Sequence, residues 1–148
     1  MDHTSKMRRV IDTWYDDWFA MDRLYYEWAR RRGITGTILF TLYAIHAIGK
    51  ACTPGQIVEK LALSKQTVNS TLDTLEARGF VSRQRDTVDQ RSRIVSLTDE
   101  GRAYAEELLG ALDDAEQGAF SALGNDLQTM IDLNRKLVQA MRRELSVR

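Results

Sequence analysis

Apolar residues at the start of the chain recur in alternating steps of four and three: Met7, Ile11, Trp14, Trp18, Met21, Tyr25 and Trp28. This is the spacing of helices that pack along a shared seam. Val10, Tyr15, Phe19 and Leu24 widen the stripe, and Arg30-Arg31-Arg32-Gly33 closes it with basic charge in the last turn and a glycine stop. The pattern predicts a long helix over about residues 7–31. A second helix is expected over Gly36 to Ile48. Thr35 would cap it, Ile38, Leu42 and Ile45 would share one face, and Gly49 would end it.

The middle of the chain changes rhythm. Thr53 can cap a short helix that begins at Pro54, where the missing N–H costs nothing, with Ile57, Val58 and Leu61 on one face. Ser64 then caps a helix from Lys65 to about Arg78, striped by Val68, Leu72 and Leu75 and closed by Gly79. Its other face carries Gln66, Thr67, Asn69, Ser70, Asp73 and Thr74, short polar groups of the kind that bond to base edges and phosphates. Phe80–Arg85 has strand character, and Ser92–Leu97 alternates apolar and polar with period two, so residues 86–91 read as a hairpin tip. Arg83, Arg85, Arg91 and Arg93 sit on or beside this ribbon. A basic hairpin next to a polar-faced helix points to a wing that grips a DNA backbone or minor groove.

Beyond the ribbon, Thr98 caps another helix and Asp99-Glu100 place negative charge at its positive end. Tyr104, Ala105, Leu108, Leu109 and Leu112 carry it to about Gln117, with Gly118 and Gly124 bracketing a break. A last helix is expected from Asn125 or Asp126 to about Leu145, with Leu127, Met130, Ile131, Leu137, Val138, Met141 and Leu145 inward and Asp132 and Asn134 outside the stripe.

Four blocks together carry a family resemblance: Leu61-Ala62-Leu63-Ser64-Lys65-Gln66-Thr67-Val68-Asn69; Leu75-Glu76-Ala77-Arg78-Gly79-Phe80-Val81; Asp89-Gln90-Arg91; and Leu97-Thr98-Asp99-Glu100-Gly101-Arg102. In this order and spacing they resemble the MarR family of winged helix-turn-helix regulators. The Asp-x-Arg wing tip joined to Leu-Thr-x-x-Gly is the most specific part. The resemblance implies a mainly α fold: a winged helix-turn-helix with a two- to three-stranded antiparallel wing, plus N- and C-terminal dimerisation helices. Within a single domain it places dimerisation helices at 7–32 and 119–148, a support helix at 35–50, the DNA-binding lobe at 53–97 and a connecting helix at 98–117.

The resemblance further implies a homodimer on double-stranded DNA, a palindromic site and regulation of transcription, most simply repression. Ser64, Lys65, Gln66, Thr67, Asn69, Ser70 and Thr74 become the expected major-groove contacts, with Arg83, Arg85, Asp89, Arg91 and Arg93 on the wing. Asp89 would orient Arg91 through an ion pair. Family members often carry a basic residue where this chain has Ser70 and Thr74, which removes up to two phosphate or base contacts per subunit. A small aromatic or hydrophobic effector is expected between the first helices and the DNA-binding lobe, with Trp14, Tyr15, Trp18 and His46 as candidate lining residues. Core packing of the aromatics, and a hydrogen-bonded structural role for His46, are the competing readings.

Composition adds bounds. At 148 residues with 43% hydrophobic and 28% charged residues, one domain is the default. Net charge is zero, but residues 53 to 94 carry a net +2 and the rest −2, with the excess concentrated towards the wing. Cys52 is the single cysteine, so no internal disulfide can form; a buried small hydrophobe is its simplest role, since relatives that sense oxidants do so from the first helix. The amino terminus lacks an apolar signal core and no stretch reaches the roughly 20 apolar residues of a membrane span, so no membrane partner and a cytoplasmic location are expected.

Enzymatic chemistry finds no foothold. His3 and His46 stand apart, Cys52 has no basic partner, and there is neither a phosphate-binding glycine loop nor a metal-ligand spacing, so no cofactor or metal is expected. The remaining competitor is a winged helix used for protein contact, an interaction module or antagonist without strong DNA binding of its own.

Overall fold

The computed structural model describes residues 3–49, 51–89 and 91–146. Lys50, which closes the expected support segment, Gln90 of the Asp-x-Arg motif, and residues 147–148 of the last segment lie outside the described residues. Six helices and two strands follow in the order α1 (His3–Arg30), α2 (Gly36–Ile48), α3 (Pro54–Leu61), α4 (Lys65–Ala77), β1 (Val81–Arg85), β2 (Arg93–Leu97), α5 (Asp99–Ser121) and α6 (Asp126–Glu144). The fold is mainly α with an antiparallel two-stranded wing, as the sequence pattern and the resemblance implied. The chain divides into two compact units, Met1–Ala105 and Glu106–Arg148.

In the first unit the core centres on α2. Leu39, Leu42, Ala44 and Ile45 are fully buried, and Ile38 nearly so. This helix is apolar on almost every face rather than on one stripe, because α1, α3, α4 and β2 all pack against it. Ile57 of α3 and Val68, Leu72 and Leu75 of α4 meet it with no exposed surface. Thr35 caps α2 by accepting the Ile38 N–H at 3.1 Å. Thr53 and Gln56 form a reciprocal capping box at α3, with N···O distances of 2.8 and 3.2 Å. Ser64 caps α4 by accepting the Thr67 N–H at 3.1 Å, an interaction worth about 1 kcal/mol. Caps at three successive helix starts set where the chain turns.

The wing pairs Val81 with Leu97 through to Arg85 with Arg93. Cys52 adds an isolated bridge to β2: its N–H donates to the Val95 carbonyl at 3.0 Å and the Val95 N–H returns to the Cys52 carbonyl at 2.7 Å. At the base of the wing Thr98 donates its hydroxyl to the Gly79 carbonyl at 2.6 Å and accepts the Gly101 N–H at 2.9 Å. Gly101 is required there, since a Cβ would overlap the Phe80 carbonyl. The Leu-Thr-x-x-Gly block is therefore the clasp between wing and α5. Phe80 stacks on Tyr104 beside it, ring centroids 4.5 Å apart.

Two expectations change. The helix expected to stop near Gln117 continues through Gly118 to Ser121, and the break falls at 122–125, where Gly124 adopts φ +51°. One internal glycine weakens a helix by only about 1 kcal/mol, which neighbouring turns absorb. The stripe expected to face inward on α6 is open, since no residue of that helix is buried, and the seam of α1 is open as well, with Trp18 55% exposed. The apolar periodicity forms the helices, and much of it stays exposed.

Candidate nucleic-acid interface

The outward face of α4 presents Gln66, Asn69 and Ser70, all exposed. Not every polar group expected there is free to reach out. The Ser64 hydroxyl is held by its capping bond and by Thr67 Oγ1 at 2.8 Å. Thr74 donates its hydroxyl back to the Ser70 carbonyl at 3.1 Å, and Thr71 likewise to Thr67 at 2.8 Å. These hydroxyls keep acceptor lone pairs but give their proton to their own helix. Lys65 is exposed at the first turn.

Two open clefts flank α4. One, about 590 Å³, is lined by Asn69, by Thr53, Pro54 and Gly55 at the start of α3, and by Arg83, Arg91, Ser92 and Arg93 of the wing. The other, about 510 Å³, lies on the opposite flank, where Gln66, Thr67, Ser70, Thr74 and Arg78 face Thr35 and Thr37 of α2. The first brings together Asn69, Arg91 and Arg93, three of the residues expected to meet DNA. The second adds Arg78 at the end of α4, and Thr35 and Thr37, which periodicity could not mark, because their proximity to α4 arises from helix packing.

Arg83 corrects the expectation of a wing contact. Its Nη2 lies 2.5 Å from Asp73 Oδ1 and 2.6 Å from Glu76 Oε2, and its Nε donates to the same Glu76 oxygen at 3.2 Å. The side chain retains only 12% of its exposure. It braces β1 to α4 and its charge is neutralised. The hydrogen bond from Arg83 holds the Glu76 carboxyl below the usual glutamate range, and Glu76 in turn raises the guanidinium. Arg85, Arg91 and Arg93 remain exposed.

The wing tip corrects a second expectation. Asp89 accepts the backbone N–H of Arg91 at 3.0 Å, in place of an ion pair with its guanidinium. Asp86 makes the same kind of turn with the Val88 N–H at 2.9 Å. Two side-chain turns shape the tip, so Asp89 orients Arg91 through the main chain.

The expected effector residues are elsewhere. Trp14, Tyr15, Trp18 and Phe19 form a surface cluster on α1, with Trp14 and Trp18 centroids 5.4 Å apart and Trp18 and Phe19 at 5.9 Å. His46 is exposed on α2. None of these lines either cleft. Cys52 is buried, and burial pushes its thiol up, which disfavours the reactive thiolate. Among the described residues no group of three or more histidine, cysteine or carboxylate side chains could hold a metal ion. No described helix is long and apolar enough to cross a membrane.

Comparison with known proteins agrees with this geometry. The MarR family profile matches residues 32–92, which hold α2, α3, α4 and the outgoing strand of the wing. The HTH-type transcriptional regulator YwhA of Bacillus subtilis (strain 168) is 30% identical over 101 residues, covering 68% of this chain and 72% of its own. The crystal structure of a mutant MarR from E. coli complexed with operator DNA superposes with TM-score 0.70 at 23% identity, covering 93% of this chain and 99% of that one. BpsR of Bordetella bronchiseptica, whose DNA binding is regulated by 6-hydroxynicotinic acid, gives TM-score 0.69 at 23% identity, covering 93% and 96%. With its winged helix, its Asp-x-Arg turn and its Leu-Thr-x-x-Gly clasp, the chain belongs to the MarR family of winged helix-turn-helix transcriptional regulators.

Proposed function

We propose that this protein is a homodimeric repressor that binds a palindromic operator in double-stranded DNA and is released by a small aromatic or hydrophobic ligand. One observation carries the DNA-binding half: the exposed amides of Gln66 and Asn69 stand between two clefts edged by arginines and hydroxyls. Asn and Gln pair bidentately with adenine in the major groove, and flanking cations take the phosphates. Arg91, presented by the Asp89 turn, reaches the minor groove, where narrow A·T tracts attract arginine. The open apolar stripes of α1 and α6 support self-association, since large exposed apolar patches are rare on monomers. A two-fold pair would set its recognition helices about 34 Å apart, one DNA turn.

The ligand half rests on the aromatic cluster of α1 and on the likeness to BpsR. Ligand binding would favour a subunit spacing that no longer fits the DNA turn. A protein-interaction role is favoured by one feature, the neutralisation of Arg83 by Asp73 and Glu76, which removes a cation from the DNA-facing side.

A band-shift titration with the DNA upstream of the protein's own coding region decides between these readings. Operator-selective retardation that weakens in Arg91→Ala supports the repressor. Absence of any retardation at low salt, with a dimer intact by sedimentation, would replace it with the interaction module. If neither phenolic nor nicotinate-type compounds shift DNA affinity or melting temperature, the ligand half falls alone.

A further inference from the structure

The arginine run that ends α1 is divided among three environments. Arg31 Nη2 lies 2.5 Å from Glu27 Oε1. The Arg32 guanidinium sits over the Trp28 ring, 3.5 Å from its centroid. Arg30, by contrast, opens into a cleft of about 420 Å³ together with Arg23 and Tyr26, facing Ile34, Thr35 and Gly36. Arg23 and Arg30 are seven residues apart, two helical turns, so both guanidiniums rise from one face of α1. Glu27 also borders the cleft, with Arg31 as its partner.

The opposite wall is the first turn of α2. Gly36 permits its close approach, because a Cβ there would stand 2.6 to 2.8 Å from the Tyr26 ring. The floor is apolar, the rim cationic, and the positive end of the α2 dipole is directed at it. Thr35 lines this cleft and also the groove between α2 and α4. The two depressions therefore share Thr35: Arg30 and Arg23 lie with it on the α1 side, and Arg78, Ser70 and Thr37 on the α4 side. This is the flank of α4 opposite the wing, since the wing-side cleft is reached by Asn69 rather than by these residues.

We infer that the α1–α2 elbow is a second DNA-backbone clamp, in which Arg30 and Arg23 hold phosphates bordering the major groove on the side away from the wing. The inference rests on the DNA-binding reading above and adds a contact set to it. Guanidiniums engage phosphate oxygens bidentately, and the first turn of α2, which lines the cleft, is suited to the same anion. The elbow restores the cationic contacts that Ser70, Thr74 and the neutralised Arg83 do not supply. The shared Thr35, which places the elbow beside the α4 face, favours a duplex over a free anion.

The test measures affinity by fluorescence anisotropy at several salt concentrations, using the full chain, the operator and a scrambled duplex. Arg30→Ala should weaken both duplexes by the same factor. It should also make the slope of log affinity against log salt shallower by about 0.9 per subunit, or about 1.8 for a dimer. Arg23→Ala should act in the same direction. Arg8→Ala is the control, because Arg8 pairs with Asp12 on the same helix outside the cleft, 2.7 Å apart. An unchanged slope in Arg30→Ala, or an equal change in Arg8→Ala, overturns the clamp while wild-type binding stands. Failure of the wild type to bind any duplex defeats the DNA-binding reading itself. If benzoate raises the melting temperature of the wild type but not of Arg30→Ala, and DNA affinity is the same in both, the cleft is a small-molecule site and the inference is overturned.

Discussion

Between Ile34 and Leu97 the apolar side chains that the pattern marks are mostly sealed: Leu39, Leu42, Ile45, Ile57, Leu72 and Val95 expose nothing. Along most of α1 and through α6 to its cap the same residue types stand open, with Leu24 62% and Leu145 61% exposed. The helical code is equally clear in both regions. The lobe closes on itself because α2 is surrounded by three helices and a strand, whereas α1 before its last turns, and α6, present a stripe that stays exposed. Burial of apolar area drives folding in the first region and remains available to drive association in the second.

The contrast can be broken most forcefully at the wing clasp. Gly101→Val would drive a side chain into the Phe80 carbonyl, a backbone atom that cannot rotate aside. A loss above about 4 kcal/mol in urea denaturation is expected. A mild loss would mean that wing and α5 do not approach as described.

Next comes a pair of truncations. Leu39→Ala, at a fully buried site, should cost about 3 kcal/mol. Trp18→Ala removes a larger side chain yet should cost the dilute monomer under about 1 kcal/mol, since surface changes are usually small. Its expected effect is on sedimentation, as weaker self-association. Equal effects on monomer stability would erase the distinction between sealed lobe and open helix.

Asn69→Ala should leave the fold intact and reduce operator affinity by about 1–3 kcal/mol, with no matching loss on scrambled DNA. Equal losses on both duplexes would assign Asn69 to the backbone.

The smallest effect concerns the Arg83 brace. Because Glu76 titrates below the ordinary glutamate value of 4.5, its contribution is fully present above that pH and is lost as pH falls through the lower folded value. Glu76→Gln should flatten the acid limb of stability in that window. An identical acid limb would show that the ion pair adds nothing to the joint between wing and helix.

Much of this was legible in the residues. Thr35, Thr53 and Ser64 mark three helix starts because a short hydroxyl side chain can satisfy the free N–H groups of a first turn, a local effect. The stripe of Val68, Leu72 and Leu75 and the alternation of Ser92–Leu97 likewise follow from the geometry of single elements. The two-carboxylate neutralisation of Arg83 was not legible, because Asp73 and Glu76 reach it only once β1 folds back along α4. Nor was the placing of Thr35 and Thr37 beside the α4 flank, which needs two helices far apart in sequence to be packed side by side.

The sequence alone therefore determined where helices and strands begin, which face of each is apolar and which family motif they compose, since capping and periodicity act over a few neighbouring residues. Only the tertiary structure decided which charges are free to meet an anion and which are already matched. Electrostatic partners are chosen by distance in space, and packing of the elements is what sets that distance.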